Sequence, residues 1–288
     1  PVSAKANAKL TATDPTYNVD GGASISIESS QRMVQKVSER DNLPLTYTLY
    51  KVAANGNVDM ESDTLILTER DAPLGDFSLF ENLILLEGNL QTLSGVYSTA
   101  TTDQTISLPL PSVIEGSISV SSENGIYSEI DSIWFASAGQ KVFEKTYNDD
   151  FSCKLNFGSG SVGSPPLPGA QYRVFYRTGG GLRGNATQSY LDGNMAATWV
   201  GGAGGTTVPI SLELTQIRAG TGGQNSESVE EARRMGPLWF STQYRAVTGK
   251  DYTTFANRFI STAGKTGKAL AVLRDNGSAG NMIDIYVL

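Results

Sequence analysis

Clear helical periodicity over a long segment occurs once in this sequence, in SESVEEARRMGPLWFSTQYRAVTGKDYTTFANRF, from Ser226 to Phe259. The pattern predicts two helices packed on a sheet. Asn225 or Ser226 can cap the first helix, because a side-chain oxygen there can accept a hydrogen bond from the free N–H groups of the first turn. An apolar face then repeats at helical spacing, formed by Val229, Ala232, Gly236 and Trp239. The dipeptide Gly236-Pro237 should kink this helix or split it in two.

The second helix of the pair has a sharper start signal. Thr248 and Asp251 have the spacing of a capping box, in which each side chain accepts a hydrogen bond from the other residue's backbone N–H. The apolar face that follows consists of Tyr252, Phe255, Ala256, Phe259 and Ala263. Gly264 is the expected C-terminal stop, since glycine readily adopts the left-handed conformation that ends helices.

Most of the remaining chain alternates apolar and polar residues in short runs between Gly, Ser and Thr turns, which is typical of strands. Pro44, near the start of one such run, restricts that strand to beginning there or lying at a sheet edge. Asn55 and Gly56 form a hairpin turn signal, so residues 64–67 are expected to pair back across it. Trp134 is expected to anchor the core.

The composition excludes several kinds of function. The chain has 29 acidic and 22 basic residues, a net charge of -7, which disfavours a surface that tracks nucleic acid phosphates. It has no histidine, which removes the usual general base and the Ser-His-Asp triad. A glycosidase with two carboxylates needs no histidine and is a further alternative, but no such pair stands out in the sequence, so we expect no enzyme activity, no cofactor and no metal site. No apolar run is long enough to span a membrane. The single cysteine, Cys153, alternates with apolar residues and is expected to be buried.

The segment from Ala232 to Ala256 resembles the baseplate J family, the baseplate wedge proteins of contractile-tailed phages and related injection machines. The matching pieces are Ala232-Arg233-Arg234, Thr242-Gln243, Arg245-Ala246-Val247-Thr248 and Asp251-Tyr252. A second patch agrees: FGSG (157–160) leads, after a Pro-rich turn, into YRTGGGLRGNA (176–186). Looser similarity in the central region extends the resemblance over about residues 83–288.

The resemblance implies a structural role. We expect a non-enzymatic virion protein of the tail baseplate, assembled in the host cytoplasm, which forms a dimer or ring with copies of itself. Its other partners would be further baseplate wedge proteins, the tail hub and sheath-initiating proteins, and the ring would couple host contact to sheath contraction. Because aromatic residues and arginine dominate binding hot spots, the expected interface residues are Trp239, Phe240, Tyr244 and Arg245. Packing between the helix pair and the sheet is the alternative role for each.

A glycine-rich segment adds Gly179, Gly180, Gly181 and Arg183 to the expected interface. As a phosphate cradle, this segment lacks the Lys-Ser/Thr of a P-loop and opens no evident helix. The favoured interpretation is a loop whose glycines permit positive φ angles or a close backbone approach to another chain. The family resemblance supports that interaction role.

The whole chain is predicted to be α+β and predominantly β. We expect a strand-rich body in several sections, then the helix pair, then a C-terminal β-hairpin around Asp275-Asn276-Gly277. The expected domains are an N-terminal β-rich domain (1–112), a central β domain resembling the baseplate J core (113–215), and the start of a C-terminal α+β domain (216–288) that continues beyond Leu288. A carbohydrate-binding β-module of a tail spike or adhesin is the alternative function, because aromatic residues on a strand-rich scaffold fit it.

Overall fold

The computed structural model describes residues 1–54, 56–58, 60, 63–99, 104–110, 112–148, 152–202, 205–261, 264–265, 268–274 and 282–287. Its strands, in chain order, are β1 (Lys5–Ala12), β2 (Ser24–Glu28), β3 (Met33–Val37), β4 (Pro44–Lys51), β5 (Thr64–Thr68), β6 (Leu79–Glu87), β7 (Asn89–Val96), β8 (Thr105–Ser107), β9 (Ser119–Ser122), β10 (Gly125–Ile130), β11 (Val142–Tyr147), β12 (Cys153–Phe157), β13 (Gln171–Thr178), β14 (Gly193–Val200), β15 (Thr207–Gln216), β16 (Ile260–Ser261), β17 (Gly264–Lys265), β18 (Ala269–Arg274) and β19 (Met282–Val287). The helices are α1 (Val229–Thr242) and α2 (Gly249–Arg258). The predicted fold class is therefore confirmed: a predominantly β chain with a helix pair followed by a C-terminal hairpin.

Two curled sheets form the body of the protein. The first sheet has the order β3-β4-β6-β1-β15-β14-β2-β5, with every neighbouring pair antiparallel. The second has the order β7-β13-β9-β10-β11-β12-β8, in which β10 and β11 pair in parallel and the other neighbours are antiparallel. Strands from both sides of residue 112 share the second sheet, and β14 and β15 lie within the first. The three expected domains stay a prediction, since pairing alone does not show which segments fold independently.

The core of each sheet is formed by the alternate residues that face the inside of its curl. In β1, Ala6, Ala8 and Leu10 are buried, and they pack with inward residues of the other strands of the first sheet. The second sheet has its own core, which includes the fully buried Cys153, as expected. Burying a Leu, Ile or Phe side chain contributes about 1.5–3 kcal/mol, so alternation over many strands supplies most of the stability of the body.

The hairpin β18–β19 packs against α2 through hydrogen bonds as well as contacts. The N–H of Ala271 donates to Oγ1 of Thr253 at 2.9 Å. The Asn257 side chain bonds both backbone groups of Ala269, at 2.9 Å to the carbonyl oxygen and 2.8 Å from the N–H. These bonds join α2 to the hairpin. We call α1, α2 and this hairpin together the helix–hairpin unit. The predicted pairing of its two strands is confirmed, whereas the turn at Asp275-Asn276-Gly277 lies outside the described residues.

One predicted strand pairing is wrong. Residues 64–67 belong to β5, which pairs with β2 and not with β4. The missed strand β3 takes the place beside β4 instead. A turn signal such as Gly56 reports that the chain reverses but not which strand it then meets, and Asn55 lies outside the described residues. Pro44 is the first residue of β4, as its missing N–H requires.

Two helix ends also differ from the predictions, while the capping box is confirmed. α1 is capped by Ser228, whose Oγ accepts a hydrogen bond from the Glu231 N–H at 3.2 Å. The helix continues through Pro237 without splitting, because proline removes one backbone hydrogen bond and the rest of the helix remains bonded. Thr248 Oγ1 accepts from the Asp251 N–H at 3.2 Å, and the Asp251 carboxylate accepts from the Thr248 N–H at 2.8 Å. α2 ends at Arg258, because the chain then enters the short pair β16–β17, where Gly264 lies.

Candidate interaction surface

Trp239 lies at the centre of the contacts within the helix pair. Its ring packs edge-on against Phe255 with 5.0 Å between centroids. The guanidinium of Arg258 lies 3.9 Å from the Trp239 ring centroid, within the range of a cation–π interaction. Trp239 therefore packs α1 on α2, a role within the helix pair and not the packing against a sheet that was considered as the alternative. Its role at an interface stays a prediction.

The turn between the helices holds an unusual backbone conformation. Gln243 and Tyr244 both have positive φ angles, 46° and 58°, a conformation that costs a non-glycine residue about 1–2 kcal/mol. The turn directs Tyr244 against Trp239, with 5.4 Å between ring centroids, and against Phe135, with 5.5 Å. Phe135 lies in a short 3-10 helix at Ile133–Phe135, in the connection between β10 and β11 of the second sheet. Tyr244 thus connects the helix–hairpin unit to the body.

Trp134 is not a core residue, and the prediction that it anchors the core is wrong. Its side chain is 77% exposed, and that of the adjacent Phe135 is 61% exposed. Large aromatic residues are buried more often than not, but the short 3-10 helix at this point directs both side chains away from the sheet. Exposed aromatic side chains therefore border the place where Tyr244 meets the body.

The helix pair leaves much of its apolar surface uncovered. Phe240 is 84% exposed and Tyr244 is 58% exposed. We call this the helix surface; its exposed apolar residues are Val229, Phe240, Tyr244, Val247 and Phe259. Arg245 is also exposed; its Nη2 donates to Oε1 of Gln243 at 3.2 Å, and no ion pair of Arg245 occurs among the described residues. Apolar surface that remains exposed in this way is typical of sites that another molecule covers.

The hairpin adds a second uncovered face, on the side opposite α2. Leu270 lies directly across from Tyr286, and both are more than half exposed. Val272 and Met282 are exposed on the same face. The charges beside them are paired with each other, since Arg274 Nη2 lies 2.5 Å from Asp284 Oδ2. This hairpin face therefore resembles the helix surface in chemistry, and its residues were not among those predicted for an interface.

The predicted glycine loop packs on its own chain. Gly179, Gly180 and Gly181 have φ angles of 119°, 88° and 118°, as the glycine run suggested. Their N–H groups donate respectively to the Ser112 carbonyl at 3.2 Å, to Oε1 of Glu87 at 3.1 Å and to the Val2 carbonyl at 3.2 Å. All three donors are therefore used, which leaves none for the phosphate cradle that was considered.

The close backbone approach in this loop is to other parts of the same chain. A Cβ on Gly180 would lie 2.9 Å from Cβ of Pro1, and one on Gly181 would lie 2.6 Å from Oδ1 of Asn225. Arg183 is partly exposed nearby, with its Nε 3.8 Å from Oδ2 of Asp41. The loop and the aromatic residues of the helix pair thus occupy different places. Contact of the loop with another chain remains a prediction.

A buried polar cluster beneath the loop was missed from the sequence. Glu87 and Arg177 are both 3% exposed, and Nη1 of Arg177 donates to the Glu87 carbonyl at 2.5 Å and to Oγ of Ser3 at 2.9 Å. Nε of Arg177 has no hydrogen-bond partner among the described residues. Glu87 is the last residue of β6 and Arg177 is the next-to-last residue of β13. A charged residue at the end of an apolar run is the signal that was available.

The described ranges of the chain offer no group of three or more Cys, Asp or Glu side chains placed to hold a metal ion. Neither described helix has the length and apolar character needed to cross a membrane. Comparison with known proteins finds no family model, no curated protein and no solved structure that matches this chain. The baseplate J resemblance and the function that it implies therefore stay predictions.

Proposed function

We propose that this chain is a structural subunit of a phage contractile-tail baseplate wedge. In this role it assembles with copies of itself and with other wedge proteins into a ring around the tail hub, and it transmits the trigger for sheath contraction. The two-sheet body acts as a rigid strut. The helix–hairpin unit supplies the contact surface.

The observation that carries this proposal is the exposed apolar surface of the helix pair. The most exposed ring on it, Phe240, lies inside the segment that resembles the family, between Ala232 and Ala256. An isolated subunit of an assembly is expected to leave such surface open, because its partner covers it in the complex. Aromatic and arginine side chains such as Tyr244 and Arg245 are the types that dominate binding energy when they become buried.

Sedimentation velocity over a wide concentration range tests the proposal. We expect a reversible dimer or larger species that grows with concentration, and we expect Phe240→Ser to reduce it while the monomer keeps its sedimentation coefficient. A strict monomer at every concentration contradicts self-association through this surface.

A second candidate function is carbohydrate binding, as in a module of a tail spike or adhesin. The exposed Trp134 and Phe135 favour it, because aromatic faces that project from a β scaffold can stack on apolar faces of sugars. Glycan titration monitored by tryptophan fluorescence separates the two functions, with Trp134→Ala as the matched variant. Saturable quenching that this variant abolishes, in a chain that sediments as a monomer, would support carbohydrate binding over assembly.

A further inference from the structure

One edge of the β18–β19 hairpin is closed by side chains of α2. The Asn257 side chain bonds both the N–H and the carbonyl oxygen of Ala269, and the Ala271 N–H donates to Oγ1 of Thr253. In an antiparallel pair, the N–H and carbonyl of one residue point together, either towards the partner strand or away from it. Those of Ala269 point to α2, so the hydrogen bonds between β18 and β19 come from the alternate positions, such as Leu270.

The outer edge of β19 is open. Ala269 lies opposite Val287, so Val287, and at every second position Ile285 and Ile283, direct their N–H and carbonyl groups away from β18. Among the described residues, no strand pairs with this edge, and no hydrogen bond joins these groups to another part of the chain. Proline, lysine and β-bulges commonly protect free strand edges, and β19 has none of them. The edge is therefore available to another strand.

The side chains along this edge are apolar and incompletely covered. Ala269 and Ala271 of β18 are buried, because α2 lies along that strand. Ile285 and Val287 point to the same face of the hairpin, yet they are 49% and 56% exposed. A strand that added to β19 would cover them only if it brought its own layer above the sheet. A second copy of this hairpin brings that layer, since it carries its own α2.

The residues of β19 select one register for pairing with a second copy. A two-fold axis makes the strands antiparallel, and the outward-pointing positions then allow Asp284 opposite Asp284, Asp284 opposite Tyr286, or Tyr286 opposite Tyr286. The first arrangement opposes like charges, which destabilises a strand pair. The first and third also leave Val287 or Ile283 beyond the end of the other strand. The second centres the pair on Ile285, so that Ile283 of each copy exchanges hydrogen bonds with Val287 of the other.

We propose that β19 pairs edge to edge with β19 of a second copy, antiparallel and centred on Ile285, to form a four-stranded sheet with both α2 helices on one face. The helices share a face because residues directly opposite in paired strands point to the same side. Ile285 and Val287 of both copies then lie between the helices. Each Asp284 keeps its ion pair with Arg274 of the same copy, whose Nη2 lies 2.5 Å from Oδ2, so the pairing buries no unpaired charge. The inference rests on the self-association in the proposed function and names the edge that forms it.

Disulfide formation between cysteine variants tests the pairing and its register. Asp284 and Tyr286 of the second copy would form a non-hydrogen-bonded pair with Cα atoms about 4.5 Å apart, within the range that a disulfide requires. A mixture of Asp284→Cys and Tyr286→Cys chains should therefore crosslink on mild oxidation. Up to about half of the chains should react, since random association mixes the two variants in that proportion. The native thiol of Cys153 is buried and does not compete.

Each variant alone is the matched control. Two copies of residue 284, or two of residue 286, lie two positions apart along the paired strands, with Cα atoms about 8 Å apart, too far for a disulfide. Either variant alone should crosslink at least about fivefold less than the mixture. Self-crosslinking of Asp284→Cys or Tyr286→Cys as strong as that of the mixture would overturn the proposed register. No crosslinking in any of the three samples would overturn the pairing.

Amide exchange of the wild-type chain, measured by NMR, decides the question if a variant does not fold. The N–H groups of Ile283, Ile285 and Val287 should exchange about tenfold more slowly when about nine-tenths of the chain is paired, because only the remaining monomer exposes them. Those of Asp284 and Tyr286, already bonded to β18, should change much less. Protection of the three edge amides at low concentration, without a dimer, would assign the edge to another part of the chain and overturn the pairing.

Sedimentation velocity separates failure of this inference from failure of the proposed function. A dimer with neither crosslinking nor amide protection at β19 would overturn the edge pairing and leave self-association through another surface in place. A strict monomer at every concentration would overturn both.

Discussion

The two-sheet body and the helix–hairpin unit are stabilised in different ways. In the body, strand after strand buries every second side chain, as β1 does with Ala6, Ala8 and Leu10. In the helix pair, the buried residues are Thr242 in α1 and Thr254 in α2. The body therefore has a large apolar interior, although Trp134 and Phe135 remain exposed on its surface. The helix–hairpin unit relies on caps, hydrogen bonds and the rings around Trp239, and leaves a larger part of its apolar surface exposed.

The comparison predicts the largest loss of stability for a truncation inside the body. Leu49, on β4, is fully buried in the first core. Leu49→Ala should lower the free energy of unfolding by about 2–5 kcal/mol, the transfer cost plus that of the remaining cavity. Urea denaturation measures it. Ile66→Ala, at an exposed position of the same sheet, is the control and should lower the free energy of unfolding much less. Equal losses in the two variants would mean that the first sheet has no distinct interior.

Removal of the central ring of the helix pair should have a smaller and local effect. Trp239→Ala removes the contacts with Phe255, Tyr244 and Arg258 and should destabilise the helix–hairpin unit by about 2 kcal/mol, less than for a fully buried tryptophan. Hydrogen exchange should then accelerate in α1 and α2 but not in the first sheet, because stability differs between regions of a protein. Acceleration throughout the chain would show that body and helix–hairpin unit unfold together.

Loss of the N-terminal cap of α2 should lower stability by less than either of the two substitutions above. Thr248→Ala removes the side-chain acceptor for the Asp251 N–H and should destabilise α2 by about 1 kcal/mol. Exchange of the amides in the first turn of α2 measures the change. Thr221→Ala, in the segment before the helices, is a control that leaves the cap intact. Unchanged exchange in Thr248→Ala would mean that α2 is held by the hairpin and not by its cap.

The same cap predicts a pH dependence. Hydrogen bonds from Thr248 lower the pKa of Asp251 below its usual value. The stabilisation that the ionised Asp251 carboxylate gives to α2 is therefore complete above the ordinary pKa of aspartate. It is lost as the pH falls through the lower pKa that Asp251 has in the folded state. Helical circular dichroism should decrease over that acidic range, and Asp251→Asn should remove the dependence that this group contributes.

Local features were predictable from the sequence, and long-range ones were less so. The Thr248–Asp251 capping box, the first residue of β4 at Pro44 and the burial of Cys153 follow from neighbours in the chain. The partner of β5 does not, because strand pairing joins residues far apart in sequence. The exposure of Trp134 depends on what packs nearby and not on residue type. The interface residues remain predictions, although the structure explains why Trp239 serves packing while Phe240 is free to make contacts.

The smallest effect on stability, with a clear effect on association, is predicted for the exposed arginine of the helix surface. Arg245→Glu should leave the melting temperature nearly unchanged, since surface substitutions usually alter stability by less than about 0.5 kcal/mol. It should weaken association measured by sedimentation velocity. Arg70→Glu, the same charge change at an exposed position of the body, should affect neither. A stability loss in Arg245→Glu equal to its loss of association would assign Arg245 to the fold.

The central claim is that the helix–hairpin unit is the surface that assembly covers. Hydrogen exchange at low and high protein concentration tests it most directly, with every peptide of the chain followed in one experiment. The account predicts added protection at high concentration in α1, α2 and the β18–β19 hairpin, and unchanged exchange in the two sheets. Protection gained on the sheets, with none on the helices and hairpin, would contradict it.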